Sequence, residues 1–374
     1  MRHSRRAVAI ALAGCDLGNS GLSVFAESMI PRFIDRLRAG GIDPIVLGTA
    51  RERRAAGLDD APGPTLPSLA DSAGPSAALS LAGISSVARL AGADLLYLPC
   101  ANRRIVGLGT IPVIGTVHDL AQFHVAAKYG PLRQIYVKRV LVPLLRRLRI
   151  VTTVSQATAD DVLKYAGVPL SRIRVIPNGI AISPPARTAL AQPGPYFLYP
   201  ARLEHPGKNH LRVLGAFARS STRETHSLIL SGAEWGAGPL IRARAEALGI
   251  SARVHVIGFV GRDEFARLMG GADAIIAAGL HEGFGLPAAE ALACGVVVAA
   301  SCTGSLPEVV GDMGVFFDPL DEDSIARALE RAAGDEELRD RCRRLGPVCA
   351  ARFSWDHSAS KLAGAVEEVL RAAA

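Results

Sequence analysis

The sequence predicts an α/β protein with two doubly wound parallel sheets. Three observations lead there. Short apolar runs alternate with helical patterns along almost all of the 374 residues, as expected of parallel strands joined by right-handed helical crossovers. That length suits two domains better than one. A stretch with five prolines and no apolar period, PNGIAISPPARTALAQPGP at 177–195, separates two halves that follow the same scheme.

In the first half, strands are expected at 7–13, 44–47, 94–98, 112–117, 150–154 and 174–176, each a short apolar run. Helices fall between most of them, as at 24–39 and 156–165. Pro31 lies inside the first of these and should kink it, because it has no N–H to donate. Residues 51–76 are rich in Gly, Pro, Ala and Ser and read as a long, mobile loop. In the second half, strands are expected at 196–199, 228–230, 254–257, 274–277 and 296–299. Helices there are expected at 210–220, 239–248, 263–269, 287–293 and 323–333. The domains are drawn at 1–180 and 181–355, with a final helix at 356–374.

Apolar residues make up 49% and charged residues 21%, a balance that places the chain among globular proteins with stable cores. A net charge of +7 fits an acidic ligand, an anionic membrane surface or nucleic acid, and equally an ordinary mildly basic enzyme. The six cysteines, Cys15, Cys100, Cys294, Cys302, Cys342 and Cys349, form no C-x-x-C pair. Several lie in apolar runs, as buried thiols of a reducing compartment would. The basic start followed by apolar residues mimics a signal peptide, but the apolar part is short and leads into a Gly-rich turn, so it is read as the first strand. No apolar run approaches the ~20 residues that span a bilayer. Neither a zinc spacing nor a nucleophile elbow is present.

In open sheets, ligands sit beyond the carboxyl ends of the strands. One such end is HEGFGLPAAEALACG at 281–295. Pro287 suits the first helical position and Gly295 the stop. Gly283 and Gly285 let backbone approach a ligand, and free N–H groups at the helix start favour an anion. Glu282 then lies in the loop, and Glu290 about one turn, ~5 Å, deeper along the helix. A ligand with hydroxyls at two places along its length would meet both; a helix start with an acid near its dipole explains them as well. A second end, YPARLEHPGKNH, offers Arg202 and Lys208, two cations that could converge on a diphosphate or simply be solvated. A third, VIGTVHDLAQFH, offers His118 and Asp119; a lone His there is more often structural than chemical. A fourth, GCDLGNSGLS, offers Gly18 and Gly21, a weak phosphate-loop signal without the G-x-G-x-x-G dinucleotide fingerprint.

Together these segments resemble the family 4 glycosyltransferases, of GT-B fold. EGFGLPAAE is similar to their Glu-x7-Glu signature and ARLEHPGKN to their donor-phosphate element. TVHDL, TVSQATADDV, VIPNGI, SLPEVVGD and FSW follow in the family's order over residues 14–355. The resemblance implies two Rossmann-like domains facing a cleft. It implies retaining transfer of a sugar, mannose as first guess, from a nucleotide-diphosphate sugar to a hydroxyl of a glycan or lipid-linked acceptor, without a metal or other cofactor. Carried over, Glu282 contacts the sugar hydroxyls, Phe284 and Gly285 offer N–H groups, with Leu286 beside them, and Glu290 holds the ribose. Arg202 and Lys208 stabilise the departing phosphate, His118 approaches the sugar, and Gly18 and Gly21 line the diphosphate and acceptor side. Asp119 and His281 are acceptor candidates. The segment from about residue 356 is expected to pack back on the first domain, as in relatives.

The acids at 321–323 match a D-x-D metal motif, but they open a helix, where capping explains them. The stretch at 132–149 carries Arg133, Lys138, Arg139, Arg146, Arg147 and Arg149 among Leu and Val. It reads as a solvated helix face or as a peripheral contact with an anionic membrane, at the inner face for a cytoplasmic enzyme. Two rival functions were weighed. Nucleic-acid binding has only the net charge in its favour, and no nucleic acid partner is expected. A nicotinamide-dependent oxidoreductase lacks its fingerprint.

Overall fold

The computed structural model describes residues 5–15, 18, 20–105, 109–125, 130–181 and 194–373. Residues 182–193 of the expected linker lie outside them. The chain divides into two compact units. The first comprises Met1–Leu120, Tyr129–Gly179 and Ser354–Ala374; the second comprises Ala121–Lys128 and Ile180–Phe353.

The first unit holds seven parallel strands: β1 (Ala7–Ala11), β2 (Asp43–Thr49), β3 (Thr65–Leu66), β4 (Leu95–Leu98), β5 (Val113–Val117), β6 (Ile150–Thr153) and β7 (Ile173–Val175), in the order β3-β2-β1-β4-β5-β6-β7. The second holds six: β8 (Tyr196–Pro200), β9 (Ser227–Ser231), β10 (Val254–Gly258), β11 (Ala274–Ala277), β12 (Val297–Ser301) and β13 (Gly314–Phe317), in the order β10-β9-β8-β11-β12-β13. In both sheets the order reverses next to the unit's first strand. That is the switch point at which doubly wound sheets open a crevice.

The strands read as near-continuous apolar runs because helices cover both faces of a parallel sheet. Val8, Ile10, Leu96 and Ile114 have no exposed surface in the first unit, nor do Phe197, Leu198 and Ile229 in the second. Each such side chain contributes about 1.5–3 kcal/mol. Polar groups in the first sheet are paired: Tyr97 Oη, Thr116 Oγ1 and Thr152 Oγ1, on three successive strands, form a chain with both gaps at 2.7 Å.

The last helix, Trp355–Ala372, belongs to the first unit and packs along helix Gly21–Ala39. Asp356 faces Arg32 at 3.5 Å and Arg36 at 3.6 Å. Helix Gly21–Ala39 runs through Pro31 without a break in its assignment.

Residues 51–76 correct the expectation of a structureless loop. They hold most of helix Ala50–Ala55, strand β3, a 3-10 turn at Ser68–Asp71 and the start of helix Ala73–Ala82. Thr49 and Glu52 form a reciprocal capping box, with backbone-to-side-chain bonds of 3.1 and 2.9 Å. Arg53 is buried and donates to the carbonyls of Val46 and Ala61. Local hydrogen bonds therefore order a segment whose composition alone reads as loop.

The basic segment is a chain of short helical pieces, Pro131–Tyr136, Val137–Leu141, Val142–Leu144 and Leu145–Arg147. Val137, Leu141, Val142 and Leu145 are buried, while Leu132 and Ile135 are exposed by 83% and 60%. No described helix is long and apolar enough to cross a membrane.

Candidate active site

In the second unit the switch point lies between β8 and β11. Three loops beyond the strand ends are stitched together there. Leu280 N–H donates to the Gly207 carbonyl at 3.0 Å, joining the loops after β8 and β11. Thr303 Oγ1 donates to the Leu280 carbonyl at 2.9 Å, and Ser305 donates to the Glu282 carbonyl through both N–H and Oγ at 3.1 Å. The turn after β12 thus holds the backbone of Glu282.

Lys208 Nζ and Glu282 Oε1 meet at 2.7 Å, with both side chains about one-fifth exposed (22% and 21%). The Lys208 carbonyl accepts from the buried Tyr199 hydroxyl, which anchors the loop to the sheet. Arg202 pairs with Glu204 at 3.0 Å and lies over the Trp235 ring at 4.4 Å. Each of the two expected cations therefore has a carboxylate of its own. Glu204 was missed in the sequence, where an acid two residues after an arginine carries no distinctive signal.

Helix Leu286–Ala293 starts at this point. Leu286 is its first residue and Pro287 its second, one later than the sequence implied, because Gly285 takes the capping position with φ +83°. A side chain at Gly285 would be strained by that φ, and its Cβ would come within 2.6 Å of Leu306. The backbone N–H groups of Phe284 and Gly285 meet no backbone acceptor among the described residues. Phe284 is buried, edge-on to Phe353 at 5.2 Å, and so fixes the loop rather than facing solvent. His281 stacks on His124, centroids 3.8 Å apart.

Glu290 lies one turn into the helix. Its carboxylate has no hydrogen-bond partner among the described residues, and burial pushes it up to about 7, with Arg262 pulling the other way. A polar group kept in this state costs free energy unless something donates to it.

Beyond the ends of β9 and β10 opens a cavity of about 510 Å³, lined by Leu203, Gly232, Glu234, Arg242, Gly258 and Phe259 among others. Sequence reasoning did not find it, since its walls come from two separated loops. A Cβ at Gly232 would come within 2.1 Å of the Ala201 carbonyl, so glycine there keeps the loops in contact.

In the first unit, His118 follows β5 and is buried. Its Nε2 is 2.8 Å from the Pro99 carbonyl, the geometry of a donated hydrogen bond, and its ring is edge-on to Phe25 at 4.6 Å. The Asp119 carbonyl accepts from Asn102 Nδ2 at 3.1 Å. Gly18 has φ +122° and is exposed, as is Gly21, which opens helix Gly21–Ala39 behind the Ser20 cap. The acids at 321–323 cap helix Glu322–Gly334, with Asp321 accepting from Asp323 N–H at 2.9 Å, and they pair with Arg219 at 3.3 and 3.1 Å through Glu322 and Asp323.

Residues 26–183 match the family model described as Glycosyltransferase Family 4, and residues 185–347 the model described as Glycosyl transferases group 1. The chain is 30% identical over 258 residues to the O-antigen chain mannosyltransferase B of Escherichia coli, covering 65% of this chain and 67% of that protein. It is 32% identical over 238 residues to the MMP alpha-(1->4)-mannosyltransferase of Mycolicibacterium hassiacum, covering 60% of this chain and 55% of that protein. Among solved structures, a sucrose-phosphate synthase from Thermosynechococcus elongatus is similar over 99% of this chain and 100% of its own, with TM-score 0.76 and 19% identity.

Proposed function

Because the chain belongs to the family 4 (group 1) glycosyltransferases and is an enzyme of GT-B fold, we propose that it moves a hexose from a nucleotide-diphosphate sugar to a hydroxyl of a glycan or lipid-linked acceptor. The transfer retains configuration and needs no metal ion. Mannose is the first choice of sugar, since the two relatives above are named mannosyltransferases. The observation that carries the proposal is the Lys208–Glu282 pair at the β8/β11 switch point, beside a helix start.

The chemistry follows from charge. As the bond to the anomeric carbon breaks, the leaving diphosphate gains negative charge, and Lys208 and Arg202 stabilise it more than they stabilise the ground state. An incoming phosphate shares Lys208 with Glu282, whose carboxylate then accepts from sugar hydroxyls. Since Glu282 is bound to a cation, it orients rather than attacks. The acceptor hydroxyl adds on the face the leaving group departs from, and its proton passes to the departing phosphate oxygen. Phe284 and Gly285 supply backbone donors, with Leu286 next to them. The partnerless carboxylate of Glu290 suits the ribose hydroxyls, and the neighbouring cavity suits the base. His118, Asp119, Gly18 and Gly21 belong to the acceptor-side unit in this scheme, and His281 is kept as an acceptor contact. Exposed Leu132 and Ile135 within a basic segment support peripheral contact with an anionic membrane at its cytoplasmic face.

The test is a panel of GDP-, UDP-, dTDP- and ADP-sugars, read by thermal shift and by slow donor hydrolysis. GDP-mannose should raise the melting temperature and release GDP. If no nucleotide sugar stabilises the protein, the proposal fails.

A further inference from the structure

In the first unit the switch point lies between β1 and β4, which pair directly (Ala9 opposite Leu96). Two thiols meet there. Cys15 follows β1 and is half-buried; Cys100 follows β4 and is 1% exposed; their sulfurs are 3.6 Å apart. The backbones that carry them are pressed together. Gly14 has φ +91°, and a Cβ there would come within 2.9 Å of Arg104 Cγ and 3.4 Å of Cys100 Cβ. Cys15 N–H is bonded to the Leu12 carbonyl, and the turn after Cys100 is closed by Arg103 and Arg104 N–H on the Cys100 carbonyl. A disulfide needs sulfurs about 2.0 Å apart. Small side-chain rotations on two already apposed turns supply the remaining approach.

The two thiols are not equivalent. The hydrogen bond from Cys15, followed by the neighbouring His118 and Arg103, holds Cys100 below the ordinary thiol range against the opposing effect of burial, while the same bond and burial push Cys15 up. Cys100 is therefore the thiolate of the pair. Its burial favours a small oxidant. The other described thiols differ: Cys302 is exposed, and Cys342 donates to the Met313 carbonyl at 3.2 Å.

We propose that Cys15 and Cys100 form a hydroperoxide-reactive dithiol whose closure to a disulfide ties the β1 loop to the end of β4 and slows the enzyme. The Cys100 thiolate attacks a peroxide oxygen; the O–O bond breaks, hydroxide leaves and takes a proton from solvent, and Cys100 becomes a sulfenic acid. Cys15 attacks that sulfur; the S–O bond breaks, and hydroxide departs with the Cys15 proton as water. Two thiols and one hydrogen peroxide thus give one disulfide and two waters. The bond stands whatever the reaction of the enzyme; its effect on turnover rests on the proposed sugar transfer, because the β1 loop carries Gly18 and the end of β4 holds His118 through Pro99.

The experiment treats the full chain with hydrogen peroxide and reads intact mass, a peptide map and transfer rate. The expected result is loss of two hydrogen atoms, a peptide linking Cys15 to Cys100, and a several-fold fall in rate, all reversed by dithiothreitol. Cys15→Ser should form no link and keep its rate after the same treatment, with Cys15→Ala as the substitute if it folds poorly. Cys15 and Cys100 remaining as thiols while Cys302 is oxidised, or Cys100 passing to sulfinic acid without a bridge, overturns the proposal. Equal loss of rate in parent and Cys15→Ser removes the control of turnover. Should no donor give transfer, the mass and peptide map still decide for or against the dithiol.

Discussion

Beyond β8 and β11 the second unit presents Arg202, Glu204, Lys208 and Glu282. Beyond β1 and β4 the first presents Cys15 and Cys100, with His118 one strand over. Both sheets have the same strand order, so both place their loops at an equivalent reversal. Yet one reversal is built of compensated charges and the other of soft, titratable groups packed against Phe25 and Pro99. Strand order decides where a site can be; the loop residues decide its chemistry. A charged reversal suits a phosphorylated ligand that brings its own negative charge. An apolar one suits groups whose protonation or oxidation state matters more than their net charge.

Substitutions at the two reversals should separate these roles. The largest effect is expected for Lys208→Ala, which removes the cation facing the leaving group and strands Glu282. Turnover should fall by ~10²–10³. Unchanged turnover would show that the charged reversal is structural only. His118→Ala should slow transfer by about tenfold to a hundredfold, as losing a positioning group does, while calorimetric titration finds nucleotide affinity unaltered. Weakened nucleotide binding in that variant would break the distinction between the two reversals.

Glu290 gives the smallest expected effect and a pH signature. Its carboxyl titrates near 7 in the folded protein against an ordinary value of 4.5. The folded state thus keeps a proton that the unfolded chain has released between those values. Stability falls as pH rises from 4.5 to 7, and the full penalty is present above 7. Glu290→Gln should stabilise the ligand-free protein by ~1–3 kcal/mol at pH 8 and by nothing below about pH 4.5. Denaturant titrations across that range check this; a gain independent of pH would show that burial does not act through the carboxyl's ionisation.

Much of the fold was legible because parallel strands covered on both faces must be apolar throughout. Runs such as AVAIA and YFLYP therefore stand out from their helical neighbours. Strand β13 was missed because GVFF is short and opens on a glycine. Residues 51–76 were misread because composition hid the Thr49–Glu52 capping box, a signal that was present in the sequence. Of the candidate site, Lys208 and Glu282 could be suggested separately from their strand ends. Their contact at 2.7 Å joins positions 74 residues apart, and no local pattern encodes it. The same holds for Glu204 as partner of Arg202 and for the cavity beyond β9 and β10.

By itself the sequence determined the alternation of strands and helices, the glycine at 285 that caps a helix start, and the residue types available at each strand end, since these depend on local backbone preference and apolar period. Only the tertiary structure decided which of those residues touch. It paired Lys208 with Glu282 and Cys15 with Cys100, and left Glu290 half-buried without a donor. Such contacts depend on strand order and on close packing between distant loops, and a one-dimensional pattern carries neither.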